Sequence, residues 1–86
     1  MGDVLYIVVP CYNEEAVLPE TQKELGNKLE TMITAGAVSE KSRIIFVDDG
    51  SKDRTWELIE KYHSENPRIG GVKLAHNRGH QFAVLA

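Results

Sequence analysis

At its centre the chain reads Ile44-Ile45-Phe46-Val47-Asp48-Asp49-Gly50-Ser51, in which four apolar residues are followed at once by two acids, a glycine and a serine. The β-branched and aromatic run is typical of a strand, and the polar residues after it have the chemistry of a turn. An earlier apolar run, residues 4–9, meets Pro10, which we expect to end that strand because proline cannot donate a ladder hydrogen bond. Both runs predict strands that are buried on both faces.

The segment between these strands has helical periodicity. A helix from about residue 14 to residue 35 is predicted by one apolar stripe, formed by Leu18, Leu25, Leu29, Met32 and Ile33. Asn13 is the expected N-cap of this helix, and Gly36 is the expected stop at its C-terminal end.

The second half of the chain repeats the alternation. A second helix is predicted near residues 52–64, with Trp56 and Tyr62 in the core and with Asp49 and Ser51 as candidate caps. A weaker third strand follows at residues 69–74, and a third helix is expected to begin after Asn77.

The predicted order is therefore β-α-β-α-β-α, with connections long enough to join parallel strands. We expect a Rossmann-like, doubly wound α/β fold. Residues 82–86 are apolar and carry no polar cap, so residues 1–86 are interpreted as a single partial domain, truncated inside the third helix. An exposed sheet edge and this apolar end predict self-association.

Composition excludes several classes of protein. Thirteen acidic and ten basic residues give a net charge of −3 in 86 residues, without the basic patch of a nucleic-acid binder. The single cysteine, Cys11, excludes an internal disulfide. Neither the glycine fingerprint of dinucleotide-binding folds nor the phosphate loop of NTPases is present.

Ligands of open α/β sheets bind outside the carboxyl ends of the strands. The loops after the three predicted strands converge there, and three clusters, residues 10–14, 48–51 and 76–80, hold most of the unusual polar and aromatic residues. The first two clusters contain Tyr12 and the acids Glu14, Asp48 and Asp49. Carboxylates accept hydrogen bonds from ribose hydroxyls and from the N–H groups of a base, and an aromatic ring stacks on a base. The pattern predicts a nucleotide bound through its base and ribose, with its diphosphate neutralised by a divalent cation.

Two motifs, each at a strand end, carry a family resemblance. They are Val8-Val9-Pro10-Cys11-Tyr12-Asn13-Glu14-Glu15 and Ile45-Phe46-Val47-Asp48-Asp49-Gly50-Ser51-Lys52-Asp53-Arg54-Thr55. Together they resemble the start of a family 2 glycosyltransferase with the GT-A fold, over essentially the whole chain. Residues 77–83 are similar to the third-strand loop of members that glycosylate polyprenyl or dolichyl phosphate.

The resemblance implies a set of contacts to a nucleoside-diphosphate-sugar such as a UDP- or GDP-sugar. Pro10 and Tyr12 match positions that flank the base. The backbone of Val47 and the carboxylate of Asp49 match the groups that read the base edge. Asp48 beside them is expected to be a structural or ribose contact.

Two further positions follow from the same resemblance. Glu14 matches a residue near the nucleotide, and Arg78 lies where some members place a base or phosphate contact. The intact enzyme would transfer a sugar, with inversion, to a lipid-phosphate or glycan acceptor. It would be cytoplasmic, at the cytoplasmic face of the membrane if segments beyond this chain anchor it there.

The chain departs from the family pattern in one respect. Members coordinate Mg²⁺ or Mn²⁺ through an Asp-x-Asp motif, and this sequence has none, so we expect this segment to bind no metal by itself. A catalytic base would also come from elsewhere, so the segment alone is expected to be inactive. The alternative interpretation is a non-catalytic nucleotide-binding or interaction module.

Three side chains allow a sharper and a simpler interpretation. Cys11 lies near a predicted helix N-terminus, which lowers a thiol pKa, or it is a small packing residue. His76 and His80 are four residues apart and are either loop histidines or a chelating pair. For all three the simpler interpretation is preferred.

Overall fold

The computed structural model of the chain describes residues 2–75 and 81–85. In this part of the chain the elements are β1 (Tyr6–Cys11), α1 (Leu18–Thr34), β2 (Arg43–Asp48), α2 (Thr55–Glu65), β3 (Ile69–Ala75) and β4 (Gln81–Leu85). The strands form a four-stranded sheet in the order β1-β2-β3-β4. The first three are parallel, and β4 runs antiparallel to β3. The predicted α/β class with a mainly parallel sheet is confirmed.

The segment predicted as a third helix is a strand instead. Residues 81–85 form β4, in which Leu85 pairs with Gly71 and Gln81 pairs with Ala75. A short apolar run has no periodicity that separates a helix from a strand. The open edge of β3 presents a row of backbone N–H and C=O groups, and pairing satisfies them. The residues at which the helix was expected to begin, 76–80, lie outside the described part of the chain.

One face of the sheet carries both helices, so the expected double winding is wrong for the described residues. The strand order has no reversal, and successive right-handed crossovers then put their helices on the same side. A Cβ atom at Gly71 would lie 2.6 Å from the side chain of Ile59 and 3.2 Å from that of Trp56, both on α2. We call this side the helix-covered face and the other side the uncovered face.

The uncovered face explains why β1 differs from its prediction. Tyr6 and Val8 point away from the helices and are each 62% exposed, whereas Ile7 and Val9 pack against the core. β1 is therefore buried on one face rather than two. It is also the edge strand, where proline is tolerated, so the strand continues through Pro10 instead of ending before it.

Helix α1 begins at Leu18, later than the periodicity predicted. Pro19 lies in its first turn, a position where the missing N–H has no helical partner. A helix that began near residue 14 would place this proline in its interior, where it breaks the i to i−4 ladder. The N-cap is Val17, without a side-chain hydrogen bond, so the prediction that Asn13 caps the helix is wrong.

The C-terminal end of α1 is as predicted. Gly36 has a φ of 77°, which glycine adopts without strain. Its N–H donates to the carbonyl of Ile33 at 3.0 Å, and the N–H of Ala37 donates to that of Met32 at 2.9 Å. This pair of bonds is the Schellman arrangement that closes a helix.

The core lies between the helices and the helix-covered face. Its buried hydrophobic residues are Cys11, Leu18, Leu29, Ile44, Phe46, Ile59, Tyr62 and Ile69. Trp56 packs against them, so the predicted core positions of Trp56 and Tyr62 are confirmed. Within the described residues, neither helix has the length and apolar character needed to cross a membrane.

Candidate functional site

Two loops meet at the carboxyl edge of the sheet. Loop A, residues 12–17, follows β1, and loop B, residues 49–54, follows β2. Cys11 pairs with Asp48 at the strand ends, and the N–H of Asp49 donates to the carbonyl of Cys11 at 2.9 Å. The predicted convergence therefore holds for these loops. The third expected cluster, residues 76–80, lies outside the described part of the chain and includes Arg78, His76 and His80.

Asn13 joins the two loops by a reciprocal pair of hydrogen bonds. Its N–H donates to Ser51 Oγ at 2.8 Å, and its Oδ1 accepts the N–H of Lys52 at 2.8 Å. Asn13 has a φ of 48°, a left-handed conformation that asparagine tolerates better than most residues. The side chain that was expected to cap a helix therefore binds the facing loop.

Two more side chains continue the contact, Asp53 of loop B and Thr55 at the start of α2. The N–H of Glu14 donates to Thr55 Oγ1 at 2.8 Å, and that of Glu15 donates to Asp53 Oδ2 at 3.1 Å. The Thr55 hydroxyl also donates to Asp53 Oδ1. Hydrogen bonds from Thr55 hold the pKa of Asp53 below its ordinary value, so this carboxylate is ionised near neutral pH and accepts hydrogen bonds.

The roles of Ser51, Asp53 and Thr55 in this contact were not predicted from the sequence. Ser51 was expected to cap α2, but the N-cap is Arg54 and makes no side-chain cap bond. The available signal was the alternation of hydroxyl and carboxyl side chains at positions 51, 53 and 55. Such an alternation indicates polar side chains on one side of an extended loop, but it does not identify their partners.

The structure separates the predicted site residues between the two faces of the sheet. Pro10 and Val47 are paired neighbours on the uncovered face. Tyr12 is 54% exposed at the edge, Asp49 is exposed beside it, and Glu14 is half-buried in loop A. A planar ligand at this edge would therefore meet an apolar pair, an aromatic ring and a carboxylate.

Asp48 faces the other way. Its side chain is 0% exposed and lies on the helix-covered face, beside Cys11 on one strand and Lys73 on the other. Oδ1 accepts the N–H of Ser51 at 2.9 Å, whereas Oδ2 is buried without a hydrogen-bond partner among the described residues. This position suits the structural role expected for Asp48 better than the ribose contact, because no solvent reaches the carboxylate.

Cys11 is buried at the end of β1. Burial raises the pKa of its thiol to about 11, with smaller contributions from the negative charges of Glu14 and Asp48. The Sγ atom lies 3.6 Å from the carbonyl oxygen of Val9. The structure agrees with the interpretation of Cys11 as a packing residue and disagrees with an activated thiol.

We expect Cys11 to react slowly with iodoacetamide at pH 8 in the folded chain. The reactive species is the thiolate, and at this pH a thiol with a pKa of about 11 is almost entirely protonated. Mass spectrometry after timed quenching would measure the rate. The same chain in concentrated urea is the control and should react at least about tenfold faster, given an unperturbed pKa near 8.5. Equal rates in the two conditions would contradict the buried, neutral thiol.

The described residues offer no complete metal centre. No group of three histidine, cysteine, aspartate or glutamate side chains converges within residues 2–75 and 81–85. The two adjacent acids cannot act as a pair, because Asp48 lies under the helices and Asp49 is exposed at the edge. Residues 2–75 and 81–85 taken alone therefore do not form a site that fits a divalent cation.

Comparison with known families gives one clear match. The family model described as "Glycosyl transferase family 2" matches residues 6–86. These residues include both loops and all four strands.

Curated relatives match over nearly the whole chain. "Uncharacterized glycosyltransferase YkoT" of Bacillus subtilis is 52% identical over 83 residues, which are 96% of this chain and 25% of that protein. "Undecaprenyl-phosphate 4-deoxy-4-formamido-L-arabinose transferase" of Shewanella sediminis is 33% identical over 98% of this chain and 24% of its own length. "Dolichyl-phosphate beta-glucosyltransferase ALG5A" of Trichomonas vaginalis is 37% identical over 95% and 25%, respectively. The chain thus spans about a quarter of the length of these relatives.

Proposed function

Because this chain belongs to glycosyltransferase family 2, we propose that it supplies the base and ribose half of a nucleoside-diphosphate-sugar site. The observation that carries the proposal is the direct bonding of the two family motifs, through Asn13 in loop A and Ser51 in loop B. This bonding holds Tyr12 and Asp49 at one edge of the sheet. Both are exposed there and can contact a ligand.

Each side chain at this edge has a role that its chemistry supports. The Asp49 carboxylate accepts hydrogen bonds from the N–H groups of a base, and the Tyr12 ring stacks on the base for about 1–3 kcal/mol. Pro10 and Val47 supply an apolar surface for the base, and the backbone of Val47 contacts the edge of the base. The proposed role of Glu14 is to accept a hydrogen bond from a ribose hydroxyl.

Two of the predicted contact residues, Asp48 and Arg78, differ from the others in their proposed roles. The Asp48 carboxylate stabilises loop B by accepting the N–H of Ser51, and we assign it no contact with the ribose. Arg78 lies outside the described residues, and its proposed role is to contact the base or a phosphate.

For the whole protein we propose sugar transfer, with inversion, from a UDP- or GDP-sugar to a polyprenyl phosphate. The acceptor is suggested by the names of the undecaprenyl- and dolichyl-phosphate transferases among the relatives. Such an acceptor would place the protein at the cytoplasmic face of a membrane. A bound Mg²⁺ or Mn²⁺ would supply Lewis-acid stabilisation of the leaving diphosphate. Its ligands and the catalytic base would come from residues other than those described, so this chain alone would not catalyse transfer.

We expect the chain to bind UDP or GDP weakly and without metal, and to lose this binding in Asp49→Ala. Hydrogen bonds to a charged group contribute about 1.5–3 kcal/mol, so the affinity should fall by roughly 10- to 100-fold. Titrations followed by ¹H–¹⁵N NMR, with and without Mn²⁺, would measure both effects. Asp3→Ala is the matched control, since Asp3 is exposed and precedes β1 at the opposite end of the sheet.

Three outcomes would count against the proposal. Binding that survives Asp49→Ala unchanged would contradict the base-reading role of this carboxylate. Binding that strictly requires Mn²⁺ would contradict a half-site that works through base and ribose. Failure of both nucleotides to bind would favour the alternative, a non-catalytic interaction module.

A further inference from the structure

Three consecutive backbone N–H groups of loop A point at loop B and at Thr55, the first residue of α2. Those of Asn13, Glu14 and Glu15 donate to Ser51 Oγ, Thr55 Oγ1 and Asp53 Oδ2, at 2.8, 2.8 and 3.1 Å. Each acceptor is a side chain, and each belongs to the second family motif. Loop A is therefore attached largely through its backbone. Of its side chains, those of Asn13 and Glu15 also bond loop B, where they accept the N–H groups of Lys52 at 2.8 Å and Arg54 at 3.4 Å.

The Thr55 hydroxyl is the centre of this arrangement. It accepts the N–H of Glu14 and donates its own proton to Asp53 Oδ1, so one hydroxyl connects the loop to the carboxylate. The same Oδ1 accepts the N–H of Thr55 at 2.9 Å. Thr55 is 0% exposed, so water cannot replace a lost partner easily, and an unpaired buried donor is costly.

The other backbone bonds of loop A are local. The N–H groups of Val17 and Leu18 both donate to the carbonyl of Glu14, at 3.0 and 2.8 Å. These bonds shape the turn into α1 but do not fix it relative to β2. Loop A is fixed at its two ends by the bond from the Asp49 N–H to the Cys11 carbonyl and by the buried side chain of Leu18. Between these ends, the contacts of residues 13–15 with Ser51, Asp53 and Thr55 hold it beside β2.

We infer that Asp53 and Thr55 are positioning residues for the nucleotide site, which hold loop A so that Tyr12 and Glu14 face the ligand. This inference rests on the proposed function, because it takes Tyr12 and Glu14 as ligand contacts. Asp53 and Thr55 themselves bind the loop A backbone and not the nucleotide. Removal of the Thr55 hydroxyl should release two hydrogen bonds while the core packing of α2 is kept.

The test compares Thr55→Val, which removes the hydroxyl at nearly constant shape, with Thr55→Ser, which retains it. Two quantities are measured on the whole 86-residue chain: the dissociation constant for UDP or GDP, and the amide hydrogen exchange rates of residues 13–15 without ligand. Thr55→Val should weaken nucleotide binding by about tenfold, which corresponds to about 1.4 kcal/mol, and speed exchange of these amides by a similar factor, because two hydrogen bonds are lost. Thr55→Ser should stay within about threefold of the parent chain in both.

Matched controls separate positioning from general loosening. Thr31→Val removes a hydroxyl that bonds the carbonyl of Asn27 on the exposed side of α1, and it should change neither quantity. Asp53→Asn replaces one carboxylate acceptor by an amide at a position outside α2. We expect it to have the same two effects as Thr55→Val, so it provides the test if Thr55→Val does not fold. Asp3→Asn is its control on an exposed aspartate.

The possible outcomes are distinct. Faster exchange confined to residues 13–15, with rescue by serine, supports the inference. Exchange that is unchanged in both Thr55→Val and Asp53→Asn overturns it, and so does exchange that rises equally throughout α1 and β2. If the parent chain binds neither nucleotide, the proposed function is wrong, and the positioning role falls with it even where the exchange rates show that the contact exists.

Discussion

Phe46→Ala is expected to lower the free energy of unfolding by about 3–5 kcal/mol. Phe46 is 0% exposed in the middle of β2 and heads the fully buried side chains in volume. On the neighbouring strand it pairs with Gly71, which has no side chain that could move into the space left by the ring. Most of the cavity should therefore persist, and a persistent cavity adds its own cost to the lost burial.

Chemical denaturation followed by circular dichroism would measure the change. Domains of this size are stable by about 5–15 kcal/mol, so a large fraction of the total would be lost. The control is Tyr6→Ala, an equivalent truncation on β1 at a side chain that is 62% exposed. We expect it to cost less than about 1 kcal/mol, as is usual for surface positions. A Phe46→Ala effect no larger than that of Tyr6→Ala would show that the core does not lie under the helix-covered face.

Gly71→Ala should destabilise the chain by about 1–3 kcal/mol although it adds a single methyl group. The new Cβ would lie 2.6 Å from Ile59 Cγ2 and 3.2 Å from Trp56 Cζ3. The Cγ2 atom is attached directly to the branched Cβ of Ile59, so it can move only by a change of χ1, which a helix restricts to one preferred rotamer, or by a shift of α2. The helix therefore has to shift away from the sheet, and the shift would weaken the packing around Ile59, which is 0% exposed.

Gly26→Ala is the matched control, with the opposite sign. Gly26 lies inside α1, and a Cβ there would have nothing within 4 Å. Alanine is a better helix former than glycine, so this variant should gain about 0.5–1 kcal/mol. Parallel urea titrations of the two variants would give both values. Stabilisation by both substitutions would mean that α2 does not approach β3 as closely as the structure places it.

The uncovered face has a consequence for association. Tyr6, Val8 and Val84 are large apolar side chains that are more than half exposed on that side of the sheet. The self-association predicted from the sequence would use this face, together with the edge of β1. It stays a prediction, and sedimentation at increasing chain concentration would test it.

Much of the fold follows from local pattern. The strand at residues 44–47 was predictable because a β-branched run stops at two acids and a glycine. The end of α1 was predictable because a glycine, Gly36, follows the apolar stripe, and it does adopt the left-handed φ of 77°. The two family motifs also marked the ends of β1 and β2, which Tyr12 and Asp49 follow. Each of these features depends on residues close together in the chain, so the amino-acid order alone carries the information.

Other features depend on which segments meet in space. β4 is a strand because the edge of β3 was open to it, and β1 is half-exposed because both helices cover the same face. Asn13 binds loop B instead of capping α1, through partners 38 and 39 residues away. Ser51, Asp53 and Thr55 acquire their roles in the same way, across 38 to 41 residues. Periodicity reports which face of an element is apolar, but a hydrogen bond between distant loops leaves no periodic trace, so tertiary structure alone determined how the candidate site is held together.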